Sequence, residues 1–262
     1  MNLNYLQVTV ADGLLRVLIN RPDKRNALSQ AVLDEIGAVF TEHARNEKLV
    51  AATITGAGQR CFAAGGDLKE FDSLREPAEV ERMALRSRAN LDAIREFPVP
   101  VIALLNGDAL GGGAELAVAC DMRVLAHHAK ITFVQGTLCI SPAWGGGVDL
   151  VRLVGPSQAL RLLTRADLLD APAALEIGLA DAAAAPGVPF ADFIAHFLEP
   201  VLARKPQVMR AFKALTRAAS TGVDAASLRK LETDSLVATW LHQDHWDAAD
   251  AVLARISSGS AR

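Results

Sequence analysis

The sequence predicts an α/β domain with parallel strand pairing that runs into a helical C-terminal region. Three observations carry this. Short apolar strands and helix-length segments alternate through the first 150 or so residues, the rhythm of layered α/β proteins. Beyond about Leu150 the chain reads as almost wholly helical, Ala- and Leu-rich and punctuated by Gly155-Pro156, Ala171-Pro172, Pro200 and Pro206. No low-complexity linker or internal sequence repeat separates the halves.

Tyr5–Val10 and Leu14–Ile19 flank Ala11-Asp12-Gly13, the pattern of a hairpin with a tight turn. Ser29 is placed to cap a helix whose one face carries Val32, Leu33, Ile36, Val39 and Phe40. Leu49–Thr55 reads as a buried strand. Glu76–Glu96 reads as a long helix stopped by Phe97-Pro98-Val99-Pro100, where proline removes a donor and restricts its neighbour. Val101–Leu105 is a second buried strand, Gly112–Cys120 a helix, and Asp121 opens another strand. Pro206–Ser220, Asp224–Leu241 and Asp244–Ile256 are expected as C-terminal helices forming a lid or an assembly region, their apolar residues buried between subunits.

With 262 residues, 51% apolar and 22% charged, the chain has the composition of an ordinary folded domain. A net charge of −3 gives no general attraction to nucleic acid or anionic membrane. Any anionic ligand must be held by a local basic cluster. The three cysteines, Cys61, Cys120 and Cys139, fit neither a disulfide framework nor a metal-ligand spacing, and Cys61 and Cys139 read as small buried fillers. His127, His128, His242 and His245 read as solvated, and no metal site is expected. The first residues lack the basic and apolar regions of a signal peptide, and Val99–Cys120 carries Asn106, Asp108 and Glu115, which a membrane span would not. A cytoplasmic protein is expected.

The most informative stretch is Asn106-Gly107-Asp108-Ala109-Leu110-Gly111-Gly112-Gly113-Ala114-Glu115-Leu116. A strand delivers the chain into three glycines, and a helix starts at once. Bare backbone N–H groups at a helix N-terminus approach a ligand closely and favour negative charge, and Glu115 follows in the first turn. Taken alone, this is equally a glycine-rich turn with a solvated glutamate. A second segment, Cys61-Phe62-Ala63-Ala64-Gly65-Gly66-Asp67-Leu68-Lys69-Glu70, repeats the arrangement. Two amide-presenting turns after neighbouring strands can converge on one oxygen as an oxyanion hole.

On these segments the chain resembles the enoyl-CoA hydratase/isomerase (crotonase) family. The likeness also takes in Asn20-Arg21-Pro22-Asp23-Lys24-Arg25-Asn26-Ala27-Leu28, Pro142-Ala143-Trp144-Gly145-Gly146 and Ala174-Leu175-Glu176-Ile177-Gly178-Leu179-Ala180. The resemblance implies a spiral of stacked ββα units over residues 1–195 and a helical trimerisation region over 196–262. It implies a homotrimer or dimer of trimers acting on an acyl-CoA thioester, with no cofactor beyond the coenzyme A that is part of the substrate. By matching positions, Gly66 and Gly112 supply the oxyanion-hole amides, and Glu115 is the first of the two glutamates that family hydratases use. Lys24, Lys69 and Arg255 would contact CoA, Arg255 reaching a neighbouring subunit; Ala64 would lie along the ligand. Trp144 would be a packing residue or a wall of the acyl pocket, not a catalyst. Read without the family, the basic residues are equally solvated surface charges.

The pattern breaks at one position. The second glutamate is expected seven residues before Pro142, where the chain has Gln135, and no Asp or Glu occurs between Asp121 and Asp149. An amide holds a water or a carbonyl but is no base at neutral pH. Enoyl-CoA hydration or isomerisation leads the reading. Decarboxylation of a malonyl-type CoA and a catalytically weakened acyl-CoA-binding protein remain as alternatives.

Overall fold

The computed structural model describes residues 3–259. The chain opens with the expected hairpin, β1 (Leu6–Ala11) and β2 (Leu14–Ile19), paired antiparallel around Asp12 and Gly13 at positive φ. Helix α1 (Gln30–His43) follows a one-turn 3₁₀ helix; Ser29 caps it by accepting from the Val32 amide, and all five predicted apolar residues are buried. Strand β3 (Ala51–Gly56) pairs parallel with β2. The chain then makes β4 (Cys61–Ala63), α2 (Leu68–Phe71) and α3 (Pro77–Arg95). Phe40 of α1 meets Phe97, just beyond α3, edge to face at 5.1 Å, burying two large rings at a favourable geometry.

Next come β5 (Val101–Leu105), β6 (Asp108–Leu110) and α4 (Gly112–Ala119), then β7 (Met122–Leu125), β8 (Lys130–Thr132), a 3₁₀ turn over Val134–Leu138, and α5 (Gly146–Arg165). Helix α5 is broken where Gly155 takes φ +77 before Pro156. Strand β9 (Leu169–Asp170), α6 (Ala171–Glu176) and β10 (Ala182–Ala183) complete the layered part. Helices α7 (Phe190–Leu202), α8 (Pro206–Ser220), α9 (Ala225–Trp240) and α10 (Gln243–Gly259) form the helical end.

The strands form two sheets. One has the order β1-β2-β3-β5-β7-β10, the other β4-β6-β8-β9. Each turn of the chain therefore lays one strand in each sheet and then a helix: β3, β4, α3; β5, β6, α4; β7, β8, α5. This is a structural repeat that sequence self-similarity does not reveal, because the second strand of each unit is only three residues long. Strands β3, β5 and β7, closed in by the hairpin and the helices, carry near-continuous buried runs, as parallel strands covered on both faces do.

Two ion pairs, each with a buried cation and a partly exposed aspartate, fasten later elements to the sheet. Lys213 of α8, 4% exposed, meets Asp121, which also accepts from the Val101 amide. Arg123, 1% exposed, pairs with Asp181 at 2.9 Å and donates to the Leu179 carbonyl. Removing one partner of such a pair leaves a buried charge unmatched. By contrast α9 buries no residue, and Leu236, Val237, Leu241, Leu253 and Ile256 of the last two helices and their junction are more than half exposed. Cys139 corrects an expectation: it is exposed, at φ +56 where the 3₁₀ turn ends, whereas Cys61 and Cys120 are buried. No helix among the described residues is long and apolar enough to cross a membrane.

Candidate active site

The two glycine turns meet. Strands β4 and β6 are parallel neighbours, Cys61 opposite Asp108 and Ala63 opposite Ala109, so the turns that leave them lie side by side. A β-carbon on Gly65 would stand 2.8 Å from the Leu110 carbonyl oxygen and 3.4 Å from the Gly112 amide nitrogen. One on Gly113 would stand 2.0 Å from the Ala63 carbonyl oxygen. Only glycine permits this approach. Gly65 and Gly111 also hold positive φ, +96 and +52. Among the described hydrogen bonds neither the Gly66 nor the Gly112 amide donates to a protein acceptor.

Trp144 lies over both. A β-carbon on Gly112 would lie 2.3 Å from Trp144 Cζ3, and one on Gly66 3.4 Å from Cη2. The indole is buried and stands edge-on to Phe71 at 6.5 Å. It thus covers the space in front of the glycines.

Glu115 is 3% exposed. Its Oε2 accepts from the amides of Trp144 (2.9 Å) and Gly146 (3.1 Å), and its Oε1 accepts from Gln135 Nε2 (3.0 Å). Burial pushes its carboxyl above the ordinary glutamate range, while the Trp144, Gln135 and Gly146 donors act against that rise. Since a carboxylate only accepts, the bond from Gln135 Nε2 fixes the amide's orientation. Gln135 Oε1 then faces away, buried and without a hydrogen-bond partner among the described residues. Gln135 itself is 5% exposed.

The predicted ligand-binding residues Lys24, Ala64 and Lys69 line, with Gly66, one cleft of about 310 Å³. Asn26 builds that wall. Its buried amide donates to the carbonyls of Ala57 and Cys61 and accepts from the Arg21 amide, and the Ala64 amide donates to Arg25 O. Arg21 adds a bond to Ala27 O and an ion pair with Asp67 at 3.2 Å. The stretch around Lys24 is thereby stapled to the turn carrying Gly66. Arg255 is exposed on α10 and is not among the residues lining this cleft. A larger cavity of about 410 Å³ lies between the end of α4, α5 and α8. Its charges are largely paired already, Lys213 with Asp121 and Arg95 with Asp149, and none of the glycine amides opens into it.

Sequence reading picked out Pro142–Gly146 by resemblance but missed that this loop holds Glu115. The Gly145-Gly146-Gly147 run was the available signal: Gly145 takes φ +92, and a β-carbon on Gly146 would stand 2.4 Å from Glu115 Cγ. Arg95 and Asp149, which fix the loop's other side, are 54 residues apart and give no local signal.

Comparison with known proteins agrees with this architecture. A family model for enoyl-CoA hydratase/isomerase matches residues 9–251. Similar chains include the crotonyl-CoA hydratase of Syntrophomonas wolfei, 39% identical over 168 residues (64% of this chain, 64% of that one). The ethylmalonyl-CoA decarboxylase of Xenopus laevis is 33% identical over 170 residues, covering 65% of this chain and 56% of that one. The sequence match thus spans less than two thirds of the length of either relative. The crystal structure of an enoyl-CoA hydratase from Bacillus anthracis superposes with a TM-score of 0.88 at 28% identity, covering 96% of this chain and 97% of that one. Two glycine turns, the buried glutamate behind them and a matched span of residues 9–251 lead to one conclusion: the chain belongs to the enoyl-CoA hydratase/isomerase family.

Proposed function

We propose that the protein binds an acyl-CoA thioester, polarises its carbonyl with the amides of Gly66 and Gly112, and adds or removes water at an enoyl double bond. The carrying observation is the orphan acceptor on Gln135. A buried polar atom without a partner costs about 1–3 kcal/mol, so its donor is brought by what enters the site. Oε2 of Glu115 already takes two amides, whereas Oε1 takes Gln135 Nε2 as its one donor among the described hydrogen bonds and has room for a second. One water has two O–H groups, enough for Glu115 Oε1 and Gln135 Oε1 together. Its oxygen adds to C3, its proton passes to Glu115, and the electrons of the double bond move into a thioester enolate held by the two amides. Glu115 then returns the proton to C2. Without that water, the same carboxylate moving a proton between C4 and C2 would isomerise a double bond.

A second reading is decarboxylation of a malonyl-type CoA. Loss of CO2 leaves the electron pair in the same enolate, and a protonated Glu115, favoured by its burial, supplies the proton at C2. The 33% identity to an ethylmalonyl-CoA decarboxylase and the missing second carboxylate support it. Retention of Glu115 beside the glycine turn argues against a purely binding role. The exposed apolar residues of α9 and α10 support assembly of the chain into trimers.

The test is incubation with enoyl-, 3-enoyl- and malonyl-type CoA esters, followed by mass spectrometry. Gain of water on crotonyl-CoA supports the first reading; loss of CO2 with no hydration overturns it. Gln135→Glu is expected to raise hydration about tenfold or more by supplying a second acid-base group; an unchanged rate favours the decarboxylase. The CoA moiety is expected to lie along the cleft of Lys24 and Lys69. By titration calorimetry with acetyl-CoA, Lys24→Ala and Lys69→Ala should each weaken binding about fivefold, some 1 kcal/mol for one exposed charge. Binding unchanged in both variants would place the nucleotide elsewhere.

A further inference from the structure

The loop Trp144-Gly145-Gly146 is clamped from both sides. On one side Trp144 and Gly146 donate to Glu115. On the other, Arg95 Nη2 donates to the Trp144 carbonyl at 2.9 Å, and a β-carbon on Gly145 would stand 2.7 Å from the same nitrogen. The guanidinium is itself held. Its Nε donates to Asp149 Oδ2 at 2.8 Å and its Nη1 to Asp92 at 2.8 Å, while the main-chain carbonyl of Arg95 accepts from Arg217 of α8. Arg95 and Asp149 are each 12% exposed. A planar fork fixed on three sides presents one donor in one direction.

We propose that Arg95, locked by Asp149, is a positioning residue for the reaction: by holding the Trp144 carbonyl it aims the Trp144 and Gly146 amides at Glu115 and keeps the indole over the glycine turns. It touches no substrate. The proposal rests on Glu115 being the proton-moving group. The clamp is itself held at a burial cost. Burial raises the Asp149 carboxyl above its usual range, and Arg95 is the first group acting against that. The charged groups facing the loop from the packed helices are Arg95, Asp92 and Arg88 of α3, the last donating to the Ala143 carbonyl at 3.1 Å, and Asp149 and Arg152 of α5. From the 3₁₀ turn only the neutral Gln135 reaches Glu115.

The experiment compares wild type with Arg95→Met, Arg95→Lys and the double variant Arg95→Met/Asp149→Leu. The double variant removes the unmatched buried carboxylate, so it stays informative where the single one fails to fold. Steady-state kinetics are taken across pH on whichever acyl-CoA the wild type turns over. Releasing the loop is expected to lower kcat about 10- to 100-fold, the cost of a displaced catalytic group, with KM changed less than about threefold. The limb of the pH profile that reports Glu115 moves to higher pH, because the donors that oppose its upward shift are lost. Arg95→Lys, which keeps a charge and a donor, recovers part of kcat. A merely structural Arg95 lowers thermal stability while folded enzyme keeps the wild-type kcat and pH midpoint; that result overturns the proposal. Glu115→Gln, measured in parallel, separates the two ideas. Full activity there removes the premise, whereas lost activity there with wild-type behaviour of the folded double variant removes the clamp alone.

Discussion

Glu115→Gln is expected to lower kcat by about 10²- to 10⁴-fold, the range for loss of a proton-transferring side chain, while the fold persists. The accommodation is written in the hydrogen bonds. A glutamine there keeps a carbonyl oxygen for the two amides on Oε2. Its new NH₂ faces Gln135, whose amide turns so that the orphan Oε1 accepts. The contact between the two side chains is thereby kept, with Nε2 of Gln135 taking over the unpaired place that Oε1 holds in the parent. The pH dependence follows from linkage. Burial raises the Glu115 carboxyl, so between the ordinary glutamate value and the raised one the folded protein binds a proton that the unfolded chain does not. Wild-type stability therefore falls as pH rises through that window. The variant lacks this contribution. Thermal unfolding of both proteins from acid to neutral pH should show the difference in Tm growing in the variant's favour as pH rises. A variant that keeps its turnover would remove Glu115 from the chemistry; one that melts earlier at neutral pH would show the carboxylate to be structural.

How much of this was legible beforehand depends on how local the signal is. Val101–Leu105 and the capped helix after Ser29 are where periodicity and capping place them, because a run of buried side chains or a single cap is written within a few residues. The short strands β4, β6 and β8 are not legible. Three residues show no alternation, and Cys61–Ala63 becomes a strand only because Asp108–Leu110 lies beside it. The glycine turns announced the site's floor, since only glycine tolerates the carbonyls that press on residues 65 and 113. The resemblance then brought Glu115 and Gln135 forward. That Gln135 donates to Glu115, and that a third glycine run supplies the carboxylate's other donors, needed coordinates. Cys139 was misplaced for a related reason: its neighbours look apolar, yet Leu138 and Ile140 are themselves exposed, 46% and 59%.

Gly112→Ala carries the second large expectation, a fall in kcat/KM of about 10²- to 10³-fold: alanine keeps the N–H, and the magnitude is that of an oxyanion donor put out of position. The backbone itself is no obstacle. Gly112 is the first helical residue of α4 at ordinary φ, and alanine is the better helix former by about 1 kcal/mol. The obstacle is the indole: the new methyl carbon would lie 2.3 Å from Cζ3 and 2.7 Å from Cη2 of Trp144. The ring must move, and the residue that carries it also donates one of the amides on Glu115. One methyl group thus disturbs the carbonyl site and the acid together. Gly113→Ala makes the contrast, because its methyl would meet a main-chain carbonyl at 2.0 Å, which cannot swing aside; a loss of about 3 kcal/mol of stability or more is expected there. The origin of the Gly112→Ala defect is then separated by Gly112→Ala/Trp144→Phe, since phenylalanine lacks the benzo edge that the methyl strikes. Recovery of at least tenfold in kcat/KM over the single variant assigns the loss to the displaced ring. No recovery in a folded double variant assigns it to contacts of the methyl group other than the indole's benzo edge, and wild-type activity in Gly112→Ala itself would show that the packing of the indole on this glycine does not set the rate.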